Sequence, residues 1–134
     1  MNRTHLEGAA EALAAQQGYA FHTGPEDGMA HTMRSYPAAW LAPLELHAVE
    51  GRGHGRATYN MTLHLLSSGA RLSPAERRTA LARMEEQLLE IFAALSLDER
   101  VLAVEGLWVR PRAFALTPHG EISQTAAARI VTFF

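Results

Sequence analysis

Between Thr58 and Leu65 polar and apolar residues alternate without a break: Thr58, Asn60, Thr62 and His64 interleave with Tyr59, Met61, Leu63 and Leu65. A period of two is that of a strand with one wet and one buried face. A few residues on, the period changes. From Ser73 the positions Leu81, Met84, Leu88, Ile91, Phe92 and Leu95 recur at helical spacing, while Arg77, Arg83, Glu86 and Glu90 fall on the other side. Ser73 is placed as an N-cap, Pro74 suits the first helical position and Glu76 completes a capping box, so this segment is the central amphipathic helix.

The remaining elements follow by the same reasoning. Thr4 to Gln17 reads as a first helix, with Thr4 and Glu7 at capping-box spacing, Gly18 as its stop, and a stripe of Leu6, Ala9 or Ala10, and Leu13 too slight to hold a helix without docking. Tyr19 to Thr23 and Met29 to Tyr36 flank the turn sequence GPEDG and read as a first hairpin. Trp40 to Glu50 pairs with Arg56 to Leu66 as a second, with Leu44, Leu46 and Ala48 facing in and Glu45 and His47 facing out. Val101 to Leu116 and Ile122 to Phe134 close the chain around TPHGE, where Pro118 and Gly120 suit a type I turn followed by a left-handed glycine. The order is helix, four strands, helix, two strands. The expected fold is α+β, a mainly antiparallel sheet with one long amphipathic helix packed across a face and a short N-terminal helix.

At 134 residues, with 48% apolar and 19% charged positions, the chain has the size and composition of one ordered domain, 1–134. A net charge of −2 gives no reason to expect a nucleic-acid partner. All twelve basic residues are arginine, a bias that fits a GC-rich genome better than a function, although arginine suits interfaces because its guanidinium forks onto carboxylates and stacks on rings. Cysteine is absent, which removes disulfides, thiolate catalysis and the commonest structural zinc ligands. No apolar run reaches membrane-spanning length and the opening residues lack the long apolar core of a secretory signal, so a cytoplasmic protein is expected.

Seven histidines invite a metal hypothesis, and His47 and His64 are the pair to test, both expected on the wet face of the second hairpin. If the buried faces of the two strands coincide, His47 lies opposite Thr58 or Asn60 and His64 opposite Leu41 or Pro43. The imidazoles are then about 13 Å apart at roughly 3.3 Å per residue, too far to share a zinc ion. Glu85, Glu86 and Glu90 read as a solvated helix face, and Ser67, Ser68 and Ser73 show no nucleophile-elbow sequence. No catalytic, cofactor-binding or metal residue is assigned.

The run Arg52-Gly53-His54-Gly55-Arg56 resembles a glycine-rich phosphate loop only superficially, because that motif needs a helix after it and here strands lie on both sides. It remains a hairpin tip presenting Arg52, His54 and Arg56 as a candidate partner-contact loop. Pro43 lacks a ladder donor, which places its strand at an edge or a bulge. Phe133 and Phe134 end the closing strand and call for pinning in the sheet or against another subunit. With Trp40, a core residue by default but of an interface-favoured type, Pro43, Phe133 and Phe134 form a candidate subunit-interface edge; Trp108 is weighed the same way. Oligomerisation is the leading inference from the residues alone.

The hairpin LELHAVEGRGHGRATYNMTLHLL, the capped helix SPAERRTALARMEEQLLEIFAAL and the closing pair VLAVEGLWVRPRAFALTPHGEISQTAAARIVTFF together resemble the tail terminator, or tail completion, proteins of long-tailed bacteriophages. The resemblance covers nearly the whole chain in length and order of elements. It implies a small α+β subunit that assembles into a homo-oligomeric ring, a hexamer, capping the tail tube and joining it to the head connector, in the virion tail or in the host cytoplasm during assembly. It implies no catalytic residues and no cofactor, tail-tube and head-connector proteins as partners, and neither a membrane nor a specific nucleic acid. Two rivals stand beside it: another head-tail connector or minor tail protein, and a small α+β enzyme or ligand-binding domain whose pocket holds His22, His31 or His119.

Overall fold

A computed structural model describes residues 2–29, 35–112, 115 and 120–134. It is an α+β fold with α1 at Asn2–Gln16, β1 at Ala20–Thr23, a single 3-10 turn at Glu26–Gly28, β2 at Ala38–Leu41, β3 at Glu45–Arg52, β4 at His54–Ser67, α2 at Pro74–Leu95, β5 at Val101–Pro111 and β6 at Ile122–Phe133. The strands form one sheet in the order β1-β2-β4-β6-β5, with β3 following β2 along the same edge of β4. Both helices pack on one face, where Leu6, Ala10 and Ala14 of α1 and Met84, Leu88, Ile91, Phe92 and Leu95 of α2 meet Met61, Leu63, Leu65, Ala126, Ala128 and Ile130 of the central strands. Fully burying a side chain of this size is worth about 1.5–3 kcal/mol, so the α2 stripe is a major source of stability.

The long helix forms as its sequence dictates. Ser73 Oγ accepts from Glu76 N and the Glu76 carboxylate accepts from Ser73 N, both at 3.1 Å, and Pro74 opens the first turn. The capped carboxyl of Glu76 is held below its ordinary range by these bonds to Ser73. α1 departs from its expected start. It begins at Asn2, two residues before the proposed Thr4 cap, because the Asn2 amide donates to Thr132 Oγ1 and Phe133 O and ties the helix to the end of β6. Gly18, at φ +88°, stops it as expected.

The first hairpin does not form. β1 pairs with β2, and in parallel, with Ala20 opposite Ala38 and Thr23 opposite Leu41. A parallel neighbour needs a crossover instead of a tight turn, and the chain from Gly24 to Pro37 supplies it. Met29 therefore lies in a buried cluster and not in a strand, and residues 30–34 of the proposed second strand lie outside the described residues.

The second hairpin forms, but its first arm is broken. Pro43 sits in the gap between β2 and β3, both of which pair with the same edge of β4, and Ala42 N bonds Thr62 O across the break. A second irregularity follows at His47, where Leu46 faces Tyr59 but Ala48 already faces Thr58. One inserted residue flips every later side chain to the other face. Ala48 is thereby turned to the face opposite that of Leu46, and Leu46, before the slip and on the outer strand, is 51% exposed, against the expectation that Leu44, Leu46 and Ala48 share one buried face. The closing strands pair as expected, though β5 ends at Pro111, the turn residues 116–119 lie outside the described residues, and Gly120 is left-handed at φ +71°.

The expected wet face of β4 is in part buried. Met29, Ala38, Trp40 and Leu66 form a second small core on the face away from the helices, with Tyr36 packed against it. His64 lies opposite Trp40, not Leu41 or Pro43, and is 1% exposed.

Candidate functional site

Two assemblies of side chains have to be weighed: a buried polar cluster around His64 and the sheet corner that carries the hairpin tip. At the first, His64 Nδ1 shares a 2.7 Å hydrogen bond with Thr125 Oγ1, and His64 Nε2 lies 3.1 Å from Glu26 Oε1. An ionised carboxylate only accepts, so Nε2–H donates to Glu26, and in a neutral ring Nδ1 accepts from the Thr125 hydroxyl. Burial pushes the His64 pKa below its ordinary value, with Arg112 adding to the effect and Glu26 opposing it. Hydroxyl, imidazole and carboxylate in line have the order of a nucleophilic relay. Thr125 and His64 are both buried, however, so the hydroxyl is not presented to a substrate. The cluster works as a clasp. Together with the Trp40 indole, whose Nε1 donates to Gly24 O at 2.9 Å, it holds the 24–29 segment across the sheet. The His22 ring stacks on Trp40 at 5.9 Å.

Trp40, proposed for a subunit edge, is therefore an interior residue, 2% exposed, because the 24–29 segment covers the face it occupies. His47 and His64 are separated as the register argument required, but for a different reason: His47 occupies the bulge on the exposed edge strand and His64 lies in a core. Among the described residues no group of three His, Asp or Glu side chains is arranged to hold a metal ion. His22 borders a groove of about 350 Å³ with Thr4, Glu7 and Glu11 of α1; His31 and His119, the other histidines of the ligand-pocket rival, lie outside the described residues.

At the sheet corner the glycine spacing of the tip is a requirement of the backbone. Gly51 and Gly53 take φ +102° and +70°, left-handed values that favour glycine. A Cβ on Gly55 would lie 2.0 Å from Glu50 O and 3.0 Å from the Phe134 ring. Beside this tip runs the end of the chain: Gly55 and Phe134 exchange two backbone hydrogen bonds, at 3.1 and 3.0 Å. The terminal phenylalanines are thus pinned within the sheet.

Residues directly opposite in a ladder share a face. Arg52 is opposite His54, Glu50 opposite Arg56, and Arg56 opposite Phe133. The two arginines, His54, Glu50 and Phe133 therefore emerge together on the face away from the helices, while Val49 and Phe134 emerge on the other. Phe133 and Phe134 are each 48% exposed and Val49 is 55% exposed. Sequence reasoning found Arg52, His54, Arg56, Phe133 and Phe134 but not that they meet, since it had no register between β4 and β6. Val49 was missed because only the bulge at His47 turns it to the helix side of the sheet, beside Phe134.

The open sheet face next to this corner carries a groove of about 260 Å³ lined by Asn60, Thr62, Glu105, Gly106, Trp108 and Arg129. The bulge between Glu105 and Trp108, with Gly106 at φ +64°, creates it. Trp108 is partly exposed and the Arg110 guanidinium lies 4.6 Å from its ring centroid, an arrangement common where proteins meet. The free ladder edges of β3 and β5 are interrupted, β3 by the His47 bulge and β5 by two bulges and Pro111, and the outer edge of β1 is only four residues long, which blunts them for strand addition. No protein-family model matches the chain, and no curated protein matches it.

Proposed function

We propose that this chain is a non-enzymatic structural subunit of a long-tailed phage or phage-like particle, a tail terminator that assembles into a ring capping the tail tube and joining it to the head connector. One observation carries the assembly part of this reading. The hairpin tip and the C-terminal strand converge on one corner where Arg52, His54, Arg56 and Phe133 share a face, an exposed aromatic with a cationic rim on a support of three paired strands. Aromatic and arginine side chains of this kind dominate interface energies, and association at this corner would take the half-exposed Phe133 ring out of water. The resemblance in element order supplies the phage setting and the six-fold ring.

Light scattering coupled to size-exclusion chromatography, with negative-stain imaging, tests the reading. Ring-shaped particles of about six subunits are expected. In the Arg52→Ala/Arg56→Ala double variant the rings are expected to weaken or vanish while the melting temperature changes little, since exposed tip substitutions rarely alter stability by more than about 0.5 kcal/mol. A monodisperse monomer at high concentration, or a large drop in melting temperature with assembly intact, overturns it.

A further inference from the structure

We propose that the outward face of α2 binds the same face of a second copy of this chain, the two helices lying antiparallel about a two-fold axis at Ala82. The helix commits its residues in three directions. Met84, Leu88, Ile91, Phe92 and Leu95 enter the core; Gln87 and Glu90 turn to the α1 side, where they accept hydrogen bonds from Tyr19 at 2.5 Å and Gln17 at 2.7 Å. The third direction exposes Ala75, Arg78, Ala82, Glu86 and Leu89, with Leu89 46% exposed. Ala75, Ala82 and Leu89 recur every seven residues and so lie along one stripe.

The charge order points to the occupant. Arg77, Arg78 and Arg83 fall in the first half of α2, and Glu85, Glu86 and Glu90 in the second, with no basic residue in the last turn. The helix dipole favours the reverse order, so this arrangement works against the isolated helix. An antiparallel copy reverses the penalty by laying the acidic half beside the basic half. With Ala82 against Ala82, Arg78 faces Glu86 of the second copy and Ala75 faces Leu89, each twice by symmetry. The small alanines let the axes approach to about 8 Å, and Leu89 fills the space over Ala75. Among the described residues neither Arg78 nor Glu86 is in an ion pair within its own chain. A contact along one helix is small, which makes this a weak, concentration-dependent association. It uses no residue of the hairpin corner and does not rest on the ring reading.

The absence of cysteine from the chain gives a direct test. Ala82→Cys, mildly oxidised at concentrations where the protein self-associates, is expected to give a disulfide-linked dimer, because the two copies of residue 82 meet at the axis. Ala75→Cys is the control, its two copies standing about 21 Å apart at 1.5 Å per residue, and is expected to stay unlinked. Sedimentation equilibrium in the Arg52→Ala/Arg56→Ala background supplies the second readout. Arg78→Glu and Glu86→Arg alone are each expected to weaken self-association about tenfold or more, and the two together to recover most of it, since like charges become opposite again. Linking no better at residue 82 than at residue 75, or indifference to the single reversals, overturns the proposal. Association that ignores the α2 reversals but falls with the hairpin arginines overturns it too, and leaves the preceding reading standing.

Discussion

Single residues here act mainly through what their surroundings leave them no room to do. Gly55 has a carbonyl 2.0 Å from where a Cβ would sit, a distance no side chain tolerates, so Gly55→Ala is expected to force the tip apart and break the two bonds to Phe134. Loss of protection of the Gly55 and Phe134 amides in hydrogen exchange checks this; unchanged protection refutes it. His64 is governed by desolvation. Its pKa is lowered on folding, burial being the largest cause, so between the folded and unfolded values the unfolded chain binds the extra proton. Its contribution is complete above about pH 6.5, the unfolded value, and is lost as pH falls from there through the folded value. Denaturant midpoints measured down this range are expected to fall less steeply for His64→Asn than for the parent. Neither behaviour was legible from sequence, where His64 had the alternation of a wet-face residue. What buries it is a segment whose Glu26 stands 38 residues distant, and the period of a strand says nothing about a cover supplied from elsewhere.

Elements were legible in proportion to how much of their signal is local. α2 announces itself through Ser73, Pro74, Glu76 and its stripe, all of which act within the helix, and β4 through strict alternation. Leu88→Ala is expected to cost about 2–5 kcal/mol because Leu88 is fully buried between helix and sheet. Ser73→Ala should cost about 1 kcal/mol through the lost cap; both follow from urea midpoints at constant slope. A Leu88→Ala loss below about 1 kcal/mol would remove the helix from its central role. The β1–β2 pairing was illegible for the opposite reason. Gly24-Pro25 has the look of a tight turn, yet whether it reverses the chain or starts a crossover depends on which strand β1 meets, and parallel pairing with Ala38–Leu41 is a long-range choice. An edge or a bulge at Pro43 was readable because proline lacks a donor wherever it stands; that the arm divides there into β2 and β3 was not. The slip at His47 was not, and it alone turns Val49 and Arg52 to the faces they occupy.

For the whole molecule, the self-association proposed at the hairpin corner raises the question of which force would drive it. Arg52 and Arg56 are exposed, Glu50 directly opposite Arg56 offsets part of their charge, and exposed ion pairs each contribute only about 0–1 kcal/mol. Phe133 offers a ring already half out of water, and completing its burial is a hydrophobic gain that salt does not screen. In the proposed contact the arginines would set orientation and encounter rate, and Phe133 would supply most of the affinity. Raising sodium chloride from about 0.1 to 1 M shortens the screening length from about 10 to 3 Å, so the arginine contribution falls away and the aromatic one persists. Equilibrium sedimentation is expected to show Phe133→Ser weakening self-association more than the full salt increase does. The melting temperature should stay near that of the parent, because the Phe133 backbone keeps its place opposite Arg56 in the ladder. Dissociation by salt with Phe133→Ser harmless would make the corner an electrostatic contact and remove the reason for two phenylalanines at its edge.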